Sequence, residues 1–319
     1  MTALVTGATG MVGSALVRRL LDDGVAVVAF VLDADPQSEL FRSGTASETS
    51  IVNGALEDLP ALERAIAVHE PSVVYHLGAQ TLVGAARRAP HRTLEANVRG
   101  TWNVLEACRR QPEVVQAVVV ASSDKAYGTV ATLPYTEAFP LGGNEPYEVS
   151  KAAADLIAQM YAHTYDLPIA IARCGNIYGP GDLNWSRIVP GTIRSLLRAE
   201  QPILRSDGTF VRDYLHVDDV VGAYLALGDG LAAGTVARGE GWNFSDESPR
   251  TVMEIYEAVC NAAGAPGTAP AVLDLAPGEI HDQWLSATKA RDQLGWKPAV
   301  DLESGLSRTV AWYRDLLTR

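Results

Sequence analysis

Through the first half of the chain, short apolar runs of strand length alternate with amphipathic stretches of helical period. The runs Ala3–Thr6, Val25–Leu32, Ser50–Asn53, Ser72–Leu77, Val114–Ala121 and Pro168–Arg173 are dominated by small and β-branched residues and read as strands. Between them, Met11–Asp22 puts Val12, Leu16, Leu20 and Leu21 on one helical face, and Thr93–Arg109 does the same with Leu94, Val98, Val104 and Leu105. Strands alternating with helices predict βαβ units with right-handed crossovers, hence a parallel sheet covered on both faces. The fold class expected is α/β, with a doubly wound parallel sheet.

The texture changes after Arg173. Gly175, Gly179, Pro180, Gly181 and Pro190 punctuate a loop-rich stretch, and helical patterns follow at Arg187–Ala199, Val217–Leu227, Thr251–Ala262 and Leu302–Leu317. This predicts a first domain over residues 1–175, rejoined by the chain at about 212–243, and a smaller mixed C-terminal domain within 176–319. No internal repeat or low-complexity tether separates the two.

Composition narrows the function. The 319 residues are 47% hydrophobic and 20% charged, a globular mixture, and the formal net charge is −12. An acidic chain lacks the positive field that nucleic acid or anionic membrane requires, so neither is an expected partner. The longest apolar run, Val25–Leu32, is far short of the ~20 residues of a membrane span. Leu4-Val5-Thr6 runs straight into Gly7, leaving no room for an export signal. The three cysteines, Cys108, Cys174 and Cys260, are odd in number and far apart, which suggests neither a disulfide framework nor a metal site. A cytoplasmic protein is expected.

The first strand leads into Thr6-Gly7-Ala8-Thr9-Gly10-Met11-Val12-Gly13 and a helix. In that context the glycines have distinct uses: Gly7 permits the tight turn, Gly10 lets backbone approach a pyrophosphate, and Gly13 lets the helix pack closely on the strand. The helix N-terminus offers free N–H groups and the positive end of its dipole to the phosphates. A dinucleotide site of Rossmann type is expected. The acidic residue for the ribose 2′-hydroxyl is Asp33, unless the slot at the end of the second strand falls on Val31 and leaves Asp33 in solvent. No Arg or Lys lies between Arg19 and Arg42, which favours NAD over NADP.

Tyr147 and Lys151 stand one helical turn apart after Pro146, and Ser122-Ser123 ends the fifth strand. A nearby cation stabilises phenolate, so the pair suits a base that deprotonates a hydroxyl group.

With these residues in view the chain resembles the extended short-chain dehydrogenase/reductase family, the NAD-dependent epimerases and dehydratases. The resemblance rests on the glycine loop, His76-Leu77-Gly78-Ala79-Gln80, Asn97 in Ala96-Asn97-Val98-Arg99-Gly100-Thr101, Tyr147 to Lys151, and Arg173-Cys174-Gly175-Asn176-Ile177-Tyr178-Gly179-Pro180. It continues through Arg212-Asp213-Tyr214-Leu215-His216-Val217-Asp218-Asp219 to Leu294-Gly295-Trp296. The resemblance implies a nucleotide-sugar enzyme in which Tyr147 is the base, Lys151 its pKa tuner and ribose ligand, and Ser123 a partner of the sugar hydroxyl. It implies NAD contacts from Gly7, Gly10, Met11, Val12, Gly13, Asp33, Leu56, Leu77, Ala79, Asn97, Tyr147 and Lys151, and substrate contacts from Gln80, Asn176, Arg187 and Arg212.

Within the family, Ser122-Ser123-Asp124-Lys125-Ala126-Tyr127-Gly128 resembles the CDP-glucose 4,6-dehydratase branch, because an acid/base pair follows the serine where 4-epimerases usually have small residues. In that reading Tyr147 starts the oxidation at C4, Lys125 takes the C5 proton acidified by the new ketone, and Asp124 protonates the departing C6 hydroxyl. Lys125 must then be neutral and Asp124 protonated. The alternatives are an ordinary charged pair on a 4-epimerase that uses only Ser123, Tyr147 and Lys151, and, more remotely, an NAD-sensing protein without turnover.

Several positions remain open between ligand and structural roles. Arg187 and Arg212 either hold a diphosphate or pair with Asp182 and Asp213, and Trp185 either stacks on a base or plugs a loop. Where relatives have Gly-Asp-Leu, this chain has Gly54-Ala55-Leu56, which leaves adenine to backbone groups or Asp58. His281 stands where relatives place an Arg, as a substitute ligand or a surface residue. Relatives dimerise through two helices, here Thr93–Arg109 and Tyr147–Tyr165, so a homodimer is expected.

Overall fold

In the computed structural model, which describes residues 1–274 and 279–318, seven parallel strands form one sheet. In chain order they are β1 (Thr2–Thr6), β2 (Ala26–Val31), β3 (Ser50–Asn53), β4 (Val73–His76), β5 (Ala117–Ala121), β6 (Ile169–Cys174) and β7 (Gly241–Phe244). Their order across the sheet is 3-2-1-4-5-6-7. The order reverses between β1 and β4, and a crevice opens there beyond the carboxyl ends of the strands. The sequence-predicted strands match within one or two residues except Val114–Ala121. Its first residues instead form a turn, with the N–H groups of Val114 and Val115 both donating to Gln111 O, so β5 starts at Ala117.

Both faces of the sheet are buried, as the near-continuous apolar strands require. On one face, α1 (Met11–Asp22) packs Leu16 and Leu20 against Ala3, Val5 and Ala29. On the other, α2 (Leu59–His69), α3 (Gly100–Arg109) and α4 (Pro146–Tyr165) bring Leu62, Ile66, Leu105 and Ala158 onto Val28, Val74, Val118 and Ile171. The chain leaves the sheet after β6 for Asn176–Tyr178, which pairs with Tyr214–His216, and for α5 (Ile188–Leu197). It then returns: α6 (Val217–Ala233) adds Val220, Tyr224 and Leu227 to the α1 face, and β7 pairs with β6. A separate core joins α5 to α7 (Val252–Ala263) and α8 (Leu302–Thr318) through Ile193, Ile255, Val259, Leu306 and Tyr313.

The single helix predicted over Thr93–Arg109 is three pieces: a turn at Pro90–Leu94, a π-helical segment at Glu95–Arg99, and α3. The widened turn centres on Asn97, whose bonding accounts for it below. No helix among the described residues is long and apolar enough to cross a membrane.

Candidate active site

The turn from β1 into α1 is a cradle. Gly7 has φ +69°, and a Cβ there would lie 2.7 Å from Gly78 N; a Cβ on Gly13 would lie 2.1 Å from Gly7 O. Gly10 caps α1 with no side-chain bond, so the first N–H groups of the helix, from Met11, Val12 and Gly13, face outward unclaimed by a capping side chain. An anionic group fits this cradle on both geometry and dipole. Asp33 is exposed two residues beyond β2. Arg42 is engaged with Glu39 and with Asp315, 2.7 Å away, so it is not free for a 2′-phosphate. Leu56 lines the crevice against Gly78 and Gly100, while Asp58 caps α2 by accepting from Ala61 N at 3.1 Å.

A chain of bonds runs from the cradle to α4. Gly78 N–H donates to Thr6 Oγ1, whose hydroxyl donates to His76 Nδ1 at 2.8 Å. Thr101 donates to Asn97 O, so His76 Nε2–H must be the donor to Thr101 Oγ1 at 3.0 Å. Burial holds His76 neutral, with its pKa pushed down to about 3. The Asn97 amide bonds Gln80 N and O, beside Leu77 and Ala79, and donates to Ser150 Oγ at 2.9 Å, which in turn donates to Tyr147 O. The π-helical turn thus aims one amide at both the β4 loop and the start of α4. The Gln80 side chain folds back on the Leu82 backbone.

Helix α4 begins with a reciprocal cap between Glu145 and Glu148, and one turn of it buries Tyr147 and Lys151 on the same face, 9% and 6% exposed. The expectation that Lys151 lowers the Tyr147 pKa is not met in this arrangement. Lys151 Nζ donates to Ala121 O at 2.9 Å, and burial lowers its own pKa to about 8 against the opposing pull of Asp155. Burial pushes the Tyr147 phenol up to about 12; Arg187 and a hydrogen bond with Ser123 pull it down, and Asp124 pushes it up.

Just past β5 the chain turns through Asp124–Tyr127. Ser123 Oγ donates to Asp124 Oδ1 at 2.8 Å and accepts from Lys125 N, and Lys125 Nζ donates to Asp124 Oδ2 at 3.0 Å. Asp124 is almost wholly buried. Ser123, Asp124, Lys125, Tyr147 and Lys151 therefore stand together at the carboxyl edge of β5, where a sheet of this topology places its chemistry. Lys125 and Asp124 form an ion pair, so the neutral amine and protonated carboxyl anticipated from sequence are one proton transfer away.

The other expected substrate contacts are dispersed among structural duties. Arg187 pairs with Asp182 at 3.1 Å yet remains close enough to Tyr147 to influence it. Among the described residues Arg212 pairs with no carboxylate: it donates to the carbonyls of Val211, Ile280 and His281. Asn176 hydrogen-bonds the Tyr214 phenol. Trp185 packs on Tyr313 with ring centroids 5.6 Å apart, and the His281 side chain is exposed beside Asp282. Two contributors escaped the sequence reading. Asp155 could have been found from its spacing, one turn beyond Lys151. Gln283, fully buried against Asp124 and Lys125, gives no local signal. Among the described residues no cluster of His, Cys, Asp and Glu could hold a metal ion.

A doubly wound sheet with a glycine cradle at its first helix and a buried Tyr/Lys pair at its carboxyl edge defines an enzyme site of the dehydrogenase/reductase class. The chain belongs to the NAD-dependent epimerase/dehydratase family, whose profile matches residues 3–238. It is 33% identical to the CDP-glucose 4,6-dehydratase of Salmonella typhimurium, over 97% of this chain and 89% of that enzyme. It is 32% identical to the UDP-glucose 4-epimerase of Mycolicibacterium smegmatis, over 99% of both. The crystal structure of the dTDP-glucose 4,6-dehydratase from Streptomyces venezuelae with NAD bound superposes with a TM-score of 0.88, at 29% identity over 99% of this chain and 97% of that one. The cofactor is NAD, and the glycine cradle fits its pyrophosphate.

Proposed function

We propose that the protein is an NAD-dependent nucleotide-sugar 4,6-dehydratase, with CDP-glucose the favoured substrate. The observation behind this reading is the pair of buried Asp124 and half-buried Lys125 beside Ser123 and Tyr147, an acid and a base in addition to what C4 chemistry needs. Residues 1–175, with the return at about 212–243, hold the cofactor in this reading, and most of the rest encloses the nucleotide sugar. Asp33 and Lys151 serve the ribose, and Asn176, Arg187 and Arg212 the diphosphate. Three free, buried cysteines suit a reducing compartment such as the cytoplasm.

Tyr147 accepts the C4 hydroxyl proton, with Ser123 bonded to the same oxygen. Held at the glycine cradle, NAD would supply the acceptor for the C4 hydride and the donor of that hydride to C6. The 4-ketone acidifies the C5 proton, which Lys125 removes while Asp124 protonates the C6 hydroxyl as it leaves as water. This elimination converts neutral amine and protonated carboxyl into ammonium and carboxylate, the ion pair seen here. As hydride adds at C6, the Lys125 ammonium returns its proton to C5, and the proton that Tyr147 took from the C4 hydroxyl passes through Ser123, which hydrogen-bonds both Tyr147 and Asp124, to the Asp124 carboxylate, so all three groups regain their starting states.

NMR of the products from CDP-glucose, with dTDP-, UDP- and GDP-glucose in parallel, should show a 4-keto-6-deoxy sugar; inversion at C4 without loss of water would establish the 4-epimerase instead. Lys125→Ala should slow dehydration by about 100-fold or more while C4 oxidation continues. Full dehydration by that variant would remove Lys125 as the base.

The same helices support a homodimer. Leu94, Trp102, Val149, Leu156 and Met160 are exposed apolar residues on the Pro90–Leu94 turn, α3 and α4, and the last three recur at spacings of seven and four along one face of α4. Light scattering should give a dimer that Leu156→Glu converts to a monomer; an unchanged dimer would move the interface elsewhere.

A further inference from the structure

We propose that Gln283 is the positioning residue of the acid/base pair, a clamp from the C-terminal part of the chain that fixes where the Lys125 amine and the Asp124 backbone stand. The proposal rests on the dehydratase reading for its consequence, but the clamp itself is a matter of geometry.

Gln283 is 0% exposed and uses both ends of its amide on two consecutive residues. Its Oε1 accepts from Lys125 Nζ, and its Nε2 donates to Asp124 O at 3.0 Å. The amide has only one workable orientation, because an ammonium only donates and a carbonyl only accepts. A flipped amide would set donor against donor and acceptor against acceptor. Lys125 needs such an anchor. Its four-carbon stem is flexible, and the amine is only partly buried. Asp124 alone would hold Nζ through a single bond; with Gln283 on a second side, Nζ has a defined place.

The clamp is itself held. Asp282–Gln283 pairs with Val211–Arg212, and Val211 N donates to His281 O. The Arg212 guanidinium spans the carbonyls of Ile280 and His281, Tyr135 N donates to Trp284 O, and Leu285 N donates to Asp213 Oδ2. Backbone on each side of Gln283 is therefore tied down, in part by Arg212.

The neutrality of Gln283 matters as much as its shape. The charged and titratable groups about the pair include Asp124 itself, Tyr135, Tyr147 from α4, Cys174 at the end of β6 and the buried Asp213 from the Val211–His216 stretch. An amide oxygen holds the amine without adding a further negative charge, so the proton can still move between Lys125 and Asp124. A carboxylate at position 283 would keep it on Lys125.

The test compares Gln283→Met, which keeps length without the amide, and Gln283→Glu with the parent protein. Labelling of Lys125 by a small acylating reagent across pH, read by mass spectrometry on the protein without sugar, should show the amine titrating lower in the Met variant and higher in the Glu variant. In single turnovers with CDP-glucose, the Met variant should eliminate water about 10- to 100-fold more slowly, with C4 oxidation changed by less than about twofold, so that reduced cofactor accumulates. The Glu variant should recover elimination as pH rises. Identical labelling profiles in all three proteins, or equal slowing of oxidation and elimination, would overturn the clamp. If the parent protein inverts C4 without losing water, the dehydratase reading fails, and the labelling profiles still decide whether Gln283 holds Lys125.

Discussion

Tyr147→Phe should bind NAD normally and lose turnover by about 100- to 10,000-fold, the span expected when a general base is removed from a positioned site. Phenylalanine keeps the ring that packs at the start of α4 and removes only the oxygen, so stability should change little. The pH dependence follows from the surroundings of the phenol. Burial pushes it up to about 12, and Arg187 and the Ser123 hydrogen bond pull it down. The reactive form is phenolate, so the rate of C4 oxidation should rise with pH until the phenol of the loaded enzyme has ionised. Arg187→Met removes a lowering charge and should shift that rise to higher pH. Pre-steady-state absorbance of the reduced cofactor measures both effects. A Tyr147→Phe enzyme within tenfold of the parent would remove Tyr147 as the base.

The same residue shows where sequence suffices and where it stops. Tyr147 and Lys151 were legible because helical spacing alone puts residues four apart on one face. The glycine cradle was legible because its demands are local: a positive φ at Gly7, and no room for a Cβ on Gly13. The sheet followed from apolar runs that are buried on both faces. What spacing could not give was the effect of burial on charge. Lys151 is one turn from Tyr147 in sequence, yet its ammonium is turned to Ala121 O, while burial pushes the phenol up to about 12. Nor could spacing separate the roles of arginines: Arg187 took its ion pair with Asp182, whereas Arg212 left Asp213 for three carbonyls. Gln283 lies 158 residues from Lys125, and only the pairing of Asp282–Gln283 with Val211–Arg212 brings it near.

Asp155→Ala should destabilise the protein by about 3–5 kcal/mol, the cost of leaving a buried guanidinium unpaired. Asp155 is fully buried and all its acceptor capacity is used. Oδ1 takes bonds from Arg173 Nη2 at 2.9 Å and Gln159 at 2.8 Å; Oδ2 takes bonds from Arg173 Nε and Ser122 Oγ, both at 2.8 Å. Arg173 Nη1 donates to the Tyr127 hydroxyl at 2.8 Å, and its guanidinium lies over the Tyr127 ring. The cluster joins β6, the end of β5 and α4, the elements that present Asp124, Lys125, Tyr147 and Lys151. Thermal unfolding should shift down by roughly 5–10 °C for a chain of this size. A loss below about 1 kcal/mol would mean that water or rearrangement satisfies Arg173. Replacing both partners, Asp155→Leu with Arg173→Met, should recover much of the stability, because no charge is then left buried without its partner. Turnover should not recover with it. Asp155 opposes the lowering of the Lys151 pKa by burial, so without it Lys151 becomes neutral at a lower pH and a smaller fraction of it is cationic at neutral pH. Stability restored without activity would separate the two duties of Asp155, holding the strand ends together and keeping Lys151 charged.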